Sequence, residues 1–189
     1  VNSSIIDLNA YRIKDEIAKE RNLPNGRHLT EEETYGLISR HFQKYGEPDL
    51  VGFSGKITTL RWQEKVSKII RELSPQTFLV SGGGLATELK VGLFNYVPDL
   101  DGVAHSEGDE IILKIVRDAN QIKKRGLESV LNSGQLNPYL ISTKKNGRPM
   151  ILYDGGRPSN LDELPFADLD FLKEDVDGNN LLEKYIKNP

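Results

Sequence analysis

The chain has 189 residues, a formal net charge of -3, 37% hydrophobic residues and no cysteine. That length suits one domain with an appendage and can bury a hydrophobic core, while the charge gives no bulk attraction to nucleic acid. Disulfides, thiolate metal sites, iron–sulfur ligation and cysteine nucleophiles are excluded within it, and no apolar run approaches the ~20 residues of a membrane span.

The first residues, Val1-Asn2-Ser3-Ser4, have neither a basic nor an apolar leader pattern, so a cytoplasmic setting is expected; the missing initiator Met suggests a fragment or a processed chain. Ser4 to Ala10 reads as a short strand ending in polar residues, followed by a charged, turn-rich segment to Asn25-Gly26. Thr30 is an N-cap, with Glu31, Glu32 and Glu33 where negative charge suits the helix dipole. Leu37, Ile38, His41, Phe42 and Tyr45 recur at helical spacing until Gly46 and Pro48. Asp49 to Ser54 is a second strand, followed by a helix with Leu60, Trp62, Val66, Ile69, Ile70 and Leu73 on or near its buried stripe. Thr77 to Val80 is a third strand, leading through Gly82-Gly83-Gly84 to a helix expected near Glu88 to Tyr96. Leu100 to Ala104 is a fourth strand and Glu110 to Ala119 a further helix; Lys123-Lys124-Arg125 reads as a solvated face.

Beyond Gly126, two short apolar segments, Tyr139 to Lys144 and Pro149 to Tyr153, flank Asn146-Gly147, a hairpin turn signal. Leu161 to Phe166 is an extended, proline-containing connector, and Glu174, Asp175 and Asp177 open an acidic tail. Strand alternating with helix calls for an α/β fold with a parallel sheet flanked by helices. The expected organisation is an α/β domain over 1–126, hairpin and linker over 127–172, and the tail over 173–189.

In parallel sheets, ligands sit beyond the carboxyl ends of the strands. Here those ends are Asn9-Ala10, Ser54-Gly55-Lys56, Gly82-Gly83-Gly84 and His105-Ser106-Glu107-Gly108, all polar, small or glycine-rich. Glycines before a helix N-terminus make either an anion site or simply a tight turn. Neither the G-x-G-x-x-G nor the Walker spacing is met. Glu107 and Asp109 suit either a ligand hydroxyl or a helix cap. His28, His41 and His105 show no metal spacing, and Gly52-Phe53-Ser54-Gly55-Lys56 is not a nucleophile elbow. The pattern is that of a binding module without catalytic residues of its own.

Five segments in order, Ile5 to Ala10, Pro48 to Ser54, Val80 to Thr87, Asp101 to Glu110 and Leu161 to Phe166, give the chain a resemblance to the N-terminal cobalamin-binding domain of radical SAM enzymes, the group of cobalamin-dependent methylases and the magnesium-protoporphyrin ester cyclase. The resemblance implies a flavodoxin-like (Rossmann-like) sheet and cobalamin as cofactor. It implies that Ser54 and Gly55 lie beside the nucleotide tail and that Lys56 and Thr58 also contact the cofactor. Gly82, Gly83 and Gly84 would let the benzimidazole and its phosphate approach the backbone, with Leu85 as a further contact, and Glu107 and Gly108 would stand on the loop of the next strand. It further implies a radical SAM catalytic domain in cis that carries the 4Fe-4S cluster and S-adenosylmethionine, with the linker leading toward it. Leu85 stands where that family often has His, Ser106 and Asp109 depart from its G-E-G-E, and His105 replaces a common Arg. The D-x-H-x-x-G motif is absent, so cobalt is expected to lack a protein imidazole. The family's strand and helix before the Asp7 segment, central in a 2-1-3-4-5 sheet, are not in the chain. Homo-oligomerisation would be one way to complete the sheet. Two other readings stand beside this one: a cofactor-free regulatory or interaction domain, and a sugar-nucleotide-binding transferase domain using Asp99-Leu100-Asp101 for metal.

Overall fold

A computed structural model describes residues 2–13, 16–133, 140–143, 149–155, 160–164 and 168–187. In chain order its main elements are α1 (Glu16–Glu20), α2 (Glu31–Tyr45), β1 (Leu50–Ser54), α3 (Leu60–Leu73), β2 (Phe78–Gly82), α4 (Gly84–Leu89), β3 (Gly102–His105), α5 (Ile111–Arg125), α6 (Leu127–Asn132), β4 (Leu140–Thr143), β5 (Pro149–Asp154) and α7 (Leu181–Lys187). The chain forms two compact units, one of residues 1–46 with 165–189 and one of residues 47–164.

The second unit holds a sheet in the order β1-β2-β3-β5-β4. β1, β2, β3 and β5 are mutually parallel and β4 is antiparallel to β5. The expected α/β sheet is present. Successive strand residues face opposite ways, which places a helix on each side. Phe78, Val80, Ala104, Ile151 and Tyr153 pack with Ile111, Ile115 and Ala119 of α5. From the other face of β2, Ser81 Oγ donates to Gln63 Oε1 of α3 at 2.7 Å. Full burial of Leu79, Val103 and Ile151 is worth about 1.5–3 kcal/mol for each side chain.

The amino end of the sheet is closed by Arg71 of α3. Its guanidinium donates to the carbonyls of Pro75, Thr77 and Asp99 and to Asp101 Oδ2. Asp101 is 2% exposed and also accepts the Leu79 N–H. The Asp99-Leu100-Asp101 triplet therefore spends a carboxylate on holding β2 to β3, at the end of the sheet opposite the candidate site.

In the first unit, Thr30 and Glu33 form the expected cap reciprocally: Glu33 N–H donates to Thr30 Oγ1 and Thr30 N–H to Glu33 Oε2. His41 is buried on α2, 2.8 Å from Ser4 Oγ, as expected of a packed residue. Asp175 belongs to a turn rather than a solvated tail: it is buried and accepts from Tyr11 Oη and the N–H groups of Asp177 and Asn179.

Three local expectations are corrected. Ser4 to Ala10 is not a strand. Asp7 Oδ1 accepts the N–H groups of Asn9 and Ala10, and the chain turns into a short 3-10 helix, Ala10–Arg12. A short acidic side chain has taken the backbone donors that a strand partner would use. The helix expected near Glu88 to Tyr96 begins earlier, at Gly84, and its α-helical part stops where Lys90 adopts φ +47°. Leu161–Glu163 is a 3-10 turn rather than an extended connector; Pro165 and Phe166 lie outside the described residues. The hairpin strands form as expected, with the Asn146-Gly147 turn outside the described residues, and β5 lies inside the sheet.

Candidate functional site

The parallel register brings the carboxyl ends of β1, β2, β3 and β5 onto one edge. Ser54 pairs with Gly82, and His105 pairs with Asp154. Ser54, Lys56 and Thr58 are exposed, and Glu107 and Gly108 are exposed on the loop after β3. Asn9 and Ala10 belong to the first unit and end no strand.

The glycine turn is shaped first by the chain itself. Gly83 has φ +81° and ψ -169° as the residue before α4. A Cβ there would stand 3.2 Å from Gly55 O and 3.3 Å from Gly55 N. Gly55 O in turn accepts the Leu85 N–H at 3.1 Å. The space beside Gly83 and one donor of the helix start are thus taken by the loop after β1. Leu85 buries its side chain, and Gly55 is backed by Gln63 and Thr59. Gly84 and Gly108 differ: a Cβ at either would meet nothing within 4 Å. Exposed apolar residues accompany this polar edge: Ile57 (66% exposed), Ile112 and Leu113 (60% exposed), the last two in the first turn of α5.

A second group, from the ends of β3 and β5, adjoins the turn. Ser106 Oγ lies 3.0 Å from His105 Nδ1 and 3.3 Å from Asp154 Oδ1. The Ser106 N–H donates to Thr87 Oγ1, which itself donates to Gly83 O. Asp154 and Thr87 were not among the residues singled out from sequence. The signal was present in Asp154-Gly155, a polar-glycine end to an apolar strand like the other three. Among the described residues no group of three or more His, Asp or Glu is placed to hold a metal, and no helix is long and apolar enough to cross a membrane.

The donor set fits a broad ligand laid across the edge. The open positions at Gly84 and Gly108, the exposed polar groups of Ser54, Lys56 and Thr58, and the apolar Ile57 and Leu113 allow it. It does not fit a tail threaded between Gly55 and Gly83, where backbone already stands.

No family model matches the chain. Over 149 residues it is 29% identical to the uncharacterized methyltransferase PH0819 of Pyrococcus horikoshii, a match covering 78% of this chain and 30% of that protein. The chain thus spans 30% of the length of the curated relative it matches. The crystal structure of the N-terminal domain of the hypothetical protein TM0182 from Thermotoga maritima aligns with 62% of the chain and 87% of its own, at 22% identity and a TM-score of 0.34.

Proposed function

We propose that this chain is the corrinoid-binding α/β part of a larger methyl-transferring radical SAM enzyme. The observation that carries the reading is the single edge where exposed polar groups, open glycines and exposed apolar side chains meet at the ends of parallel strands. The ordered motifs and the methyltransferase name of the Pyrococcus relative support it. Ser54, Lys56 and Thr58 would hold polar groups of the cofactor. Gly82, Gly84 and Gly108 would admit it close to the backbone, and Ile57, Ile112 and Leu113 would shield its apolar surface from water. A bound corrinoid supplies a carrier for a methyl group. The cluster and S-adenosylmethionine would belong to the rest of the parent protein.

The test is retention of colour. The folded chain is mixed with hydroxocobalamin and desalted, and its visible spectrum is recorded. Retained corrin absorbance is expected, and its absence overturns the reading. Gly84→Trp fills open space on the edge and is expected to abolish retention while the far-ultraviolet circular dichroism stays unchanged. A second reading, a cofactor-free interaction domain of the same fold, is favoured by one observation: the loop at Gly55 already occupies the Leu85 N–H.

A further inference from the structure

We infer that the turn over residues 55–59 is a two-position latch, held shut by Leu85 in this structure and held open by Gln63; the ligand that opens it is the corrinoid proposed above, and the inference rests on that reading. In the closed position Gly55 O accepts the Leu85 N–H at 3.1 Å, and the Gly55 backbone fills the space beside Gly83. The second position is marked by Gln63 of α3, which is 4% exposed. Gln63 Oε1 accepts from Ser81 Oγ at 2.7 Å. Gln63 Nε2 is buried and has no hydrogen-bond partner among the described residues. Leaving a buried N–H unpaired is costly, so such a group calls for an explanation.

That nitrogen stands directly behind Gly55. A Cβ on Gly55 would collide with Gln63 Nε2 and Thr59 Oγ1. Gly55 is not among the glycines of positive φ. Its missing Cβ serves instead to let the backbone lie against the amide. The turn therefore runs between two donors, the Leu85 N–H and Gln63 Nε2, and uses one of them. A shift of residues 55–59 toward α3 brings a turn carbonyl onto Nε2 and withdraws backbone from Gly83. Ser54 Oγ, 3.5 Å from where a Gly83 Cβ would stand, then faces the cleared space. An acceptor oxygen of the ligand, from the nucleotide-tail phosphate or a corrin side-chain amide, meets a hydroxyl donor there.

The turn is suited to moving as one piece. β1 ends at Ser54 and α3 begins at Leu60. Between them, the Thr59 N–H and Oγ1 both donate to Lys56 O, at 2.9 Å and 2.8 Å. Lys56, Ile57 and Thr58 are exposed, so no packed side chain of theirs resists the shift. The two positions exchange one donor for another, which keeps them close in free energy. A ligand moves the balance only as far as it prefers the open one.

The test labels the chain with 13C-carbonyl glycine and 15N-leucine and titrates it with hydroxocobalamin. The coupling across the Leu85–Gly55 hydrogen bond is expected in the free chain and is lost on loading. With 15N-glutamine, the Gln63 side-chain N–H signals are expected to exchange more slowly with solvent once the chain is loaded. Gln63→Leu removes the second position and is expected to weaken hydroxocobalamin binding about tenfold. Ser81→Ala breaks the same Ser81–Gln63 bond but keeps Nε2, and is expected to bind as the parent does. Should Gln63→Leu not fold, the coupling measured on the unsubstituted chain decides. Cobinamide, which lacks the nucleotide tail, identifies the acceptor: a response lost with it assigns the phosphate, a response kept assigns a corrin amide. A Leu85–Gly55 coupling that persists in the loaded chain, or parental affinity in Gln63→Leu, overturns the latch and leaves the corrinoid reading standing. Failure to retain hydroxocobalamin overturns both.

Discussion

The carbonyl oxygen of Gly55 accepts the N–H of Leu85 at 3.1 Å and so ties the loop after β1 to the first turn of α4. The two glycines between the strand and that bond are consequently unequal. Gly83 is held at φ +81° against the Gly55 backbone, whereas Gly84 faces open space. Gly83→Ala should destabilise the second unit by about 1–3 kcal/mol, the cost of a strained backbone. Gly84→Ala should leave stability unchanged or raise it by about 0.5–1 kcal/mol, because it adds a helix former at a compatible position. Urea denaturation of the two variants checks the ordering; equal losses would mean that the close approach at Gly83 is not what shapes the turn.

Arg71 and Asp101 govern the opposite end of the sheet. Their ion pair is 2.9 Å long, with side chains 16% and 3% exposed. Removing one partner of a buried pair strands the other, so Asp101→Ala should cost about 3–5 kcal/mol. Arg71→Lys should recover little, because a single ammonium cannot reproduce a fork spread over three carbonyls and a carboxylate. Chemical denaturation monitored at the sheet would show it. A loss below that of an ordinary surface substitution would remove the pair from the structural framework.

Acid should loosen the start of α2 through Glu33. Hydrogen bonds from Arg27 first, then from the Thr30 backbone, hold its carboxyl down at about 2, against an ordinary 4.5. A depressed carboxylate contributes stability above its unfolded value and loses it as pH falls through the folded one. The window for this loss is therefore pH 4.5 down to about 2. Glu33→Gln should flatten that part of the stability profile. Amide exchange at Thr30 and Glu33 measured across the window is the check, and an unchanged slope in the variant would count against the cap.

His41 acts at milder pH. Burial first, and the nearby Lys44 second, lower its pKa from 6.5, so the folded state resists protonation. The unfolded chain takes up the proton below 6.5, and stability contributed above that value drains away as the solution is acidified. His41→Gln should remove this dependence in the range where Glu33 is still ionised. Thermal melts from pH 7.5 to 5.5 would separate the two groups; a variant as pH-sensitive as the parent would exclude His41 as the cause.

The strands and helices with clear periodicity were legible because burial enforces it: Leu50–Ser54, Phe78–Gly82, Gly102–His105, α2, α3 and α5 all follow their apolar pattern. The Ser4 to Ala10 segment misled because Ile5, Ile6 and Leu8 have strand-like spacing, while the Asp7 carboxylate captures the donors of Asn9 and Ala10. Nothing local marks Lys90 for a left-handed backbone. At the candidate site, glycine was legible but its neighbour was not. Bare Cα atoms signal a close approach without saying whether a ligand or the chain's own backbone comes near, and at Gly83 it is Gly55. Asp154 was missed because its partnership with Ser106 spans 48 residues and depends on β5 lying beside β3.

That placement of β5 has a consequence for how the fold is assembled. β5 is the last strand in sequence but sits between β3 and β4. During synthesis, β1 to β3 can therefore pair before β5 exists, and the Gly102–His105 edge stays bare for the length of α5 and α6. A bare parallel edge is a template for another chain. Release at residue 133 should give a product that self-associates more than the full chain in sedimentation; adding residues 140–154 back should cure it. The closing hairpin would thus act as a timed seal, and the imidazole on the strand it covers would receive its carboxylate only when that seal is in place.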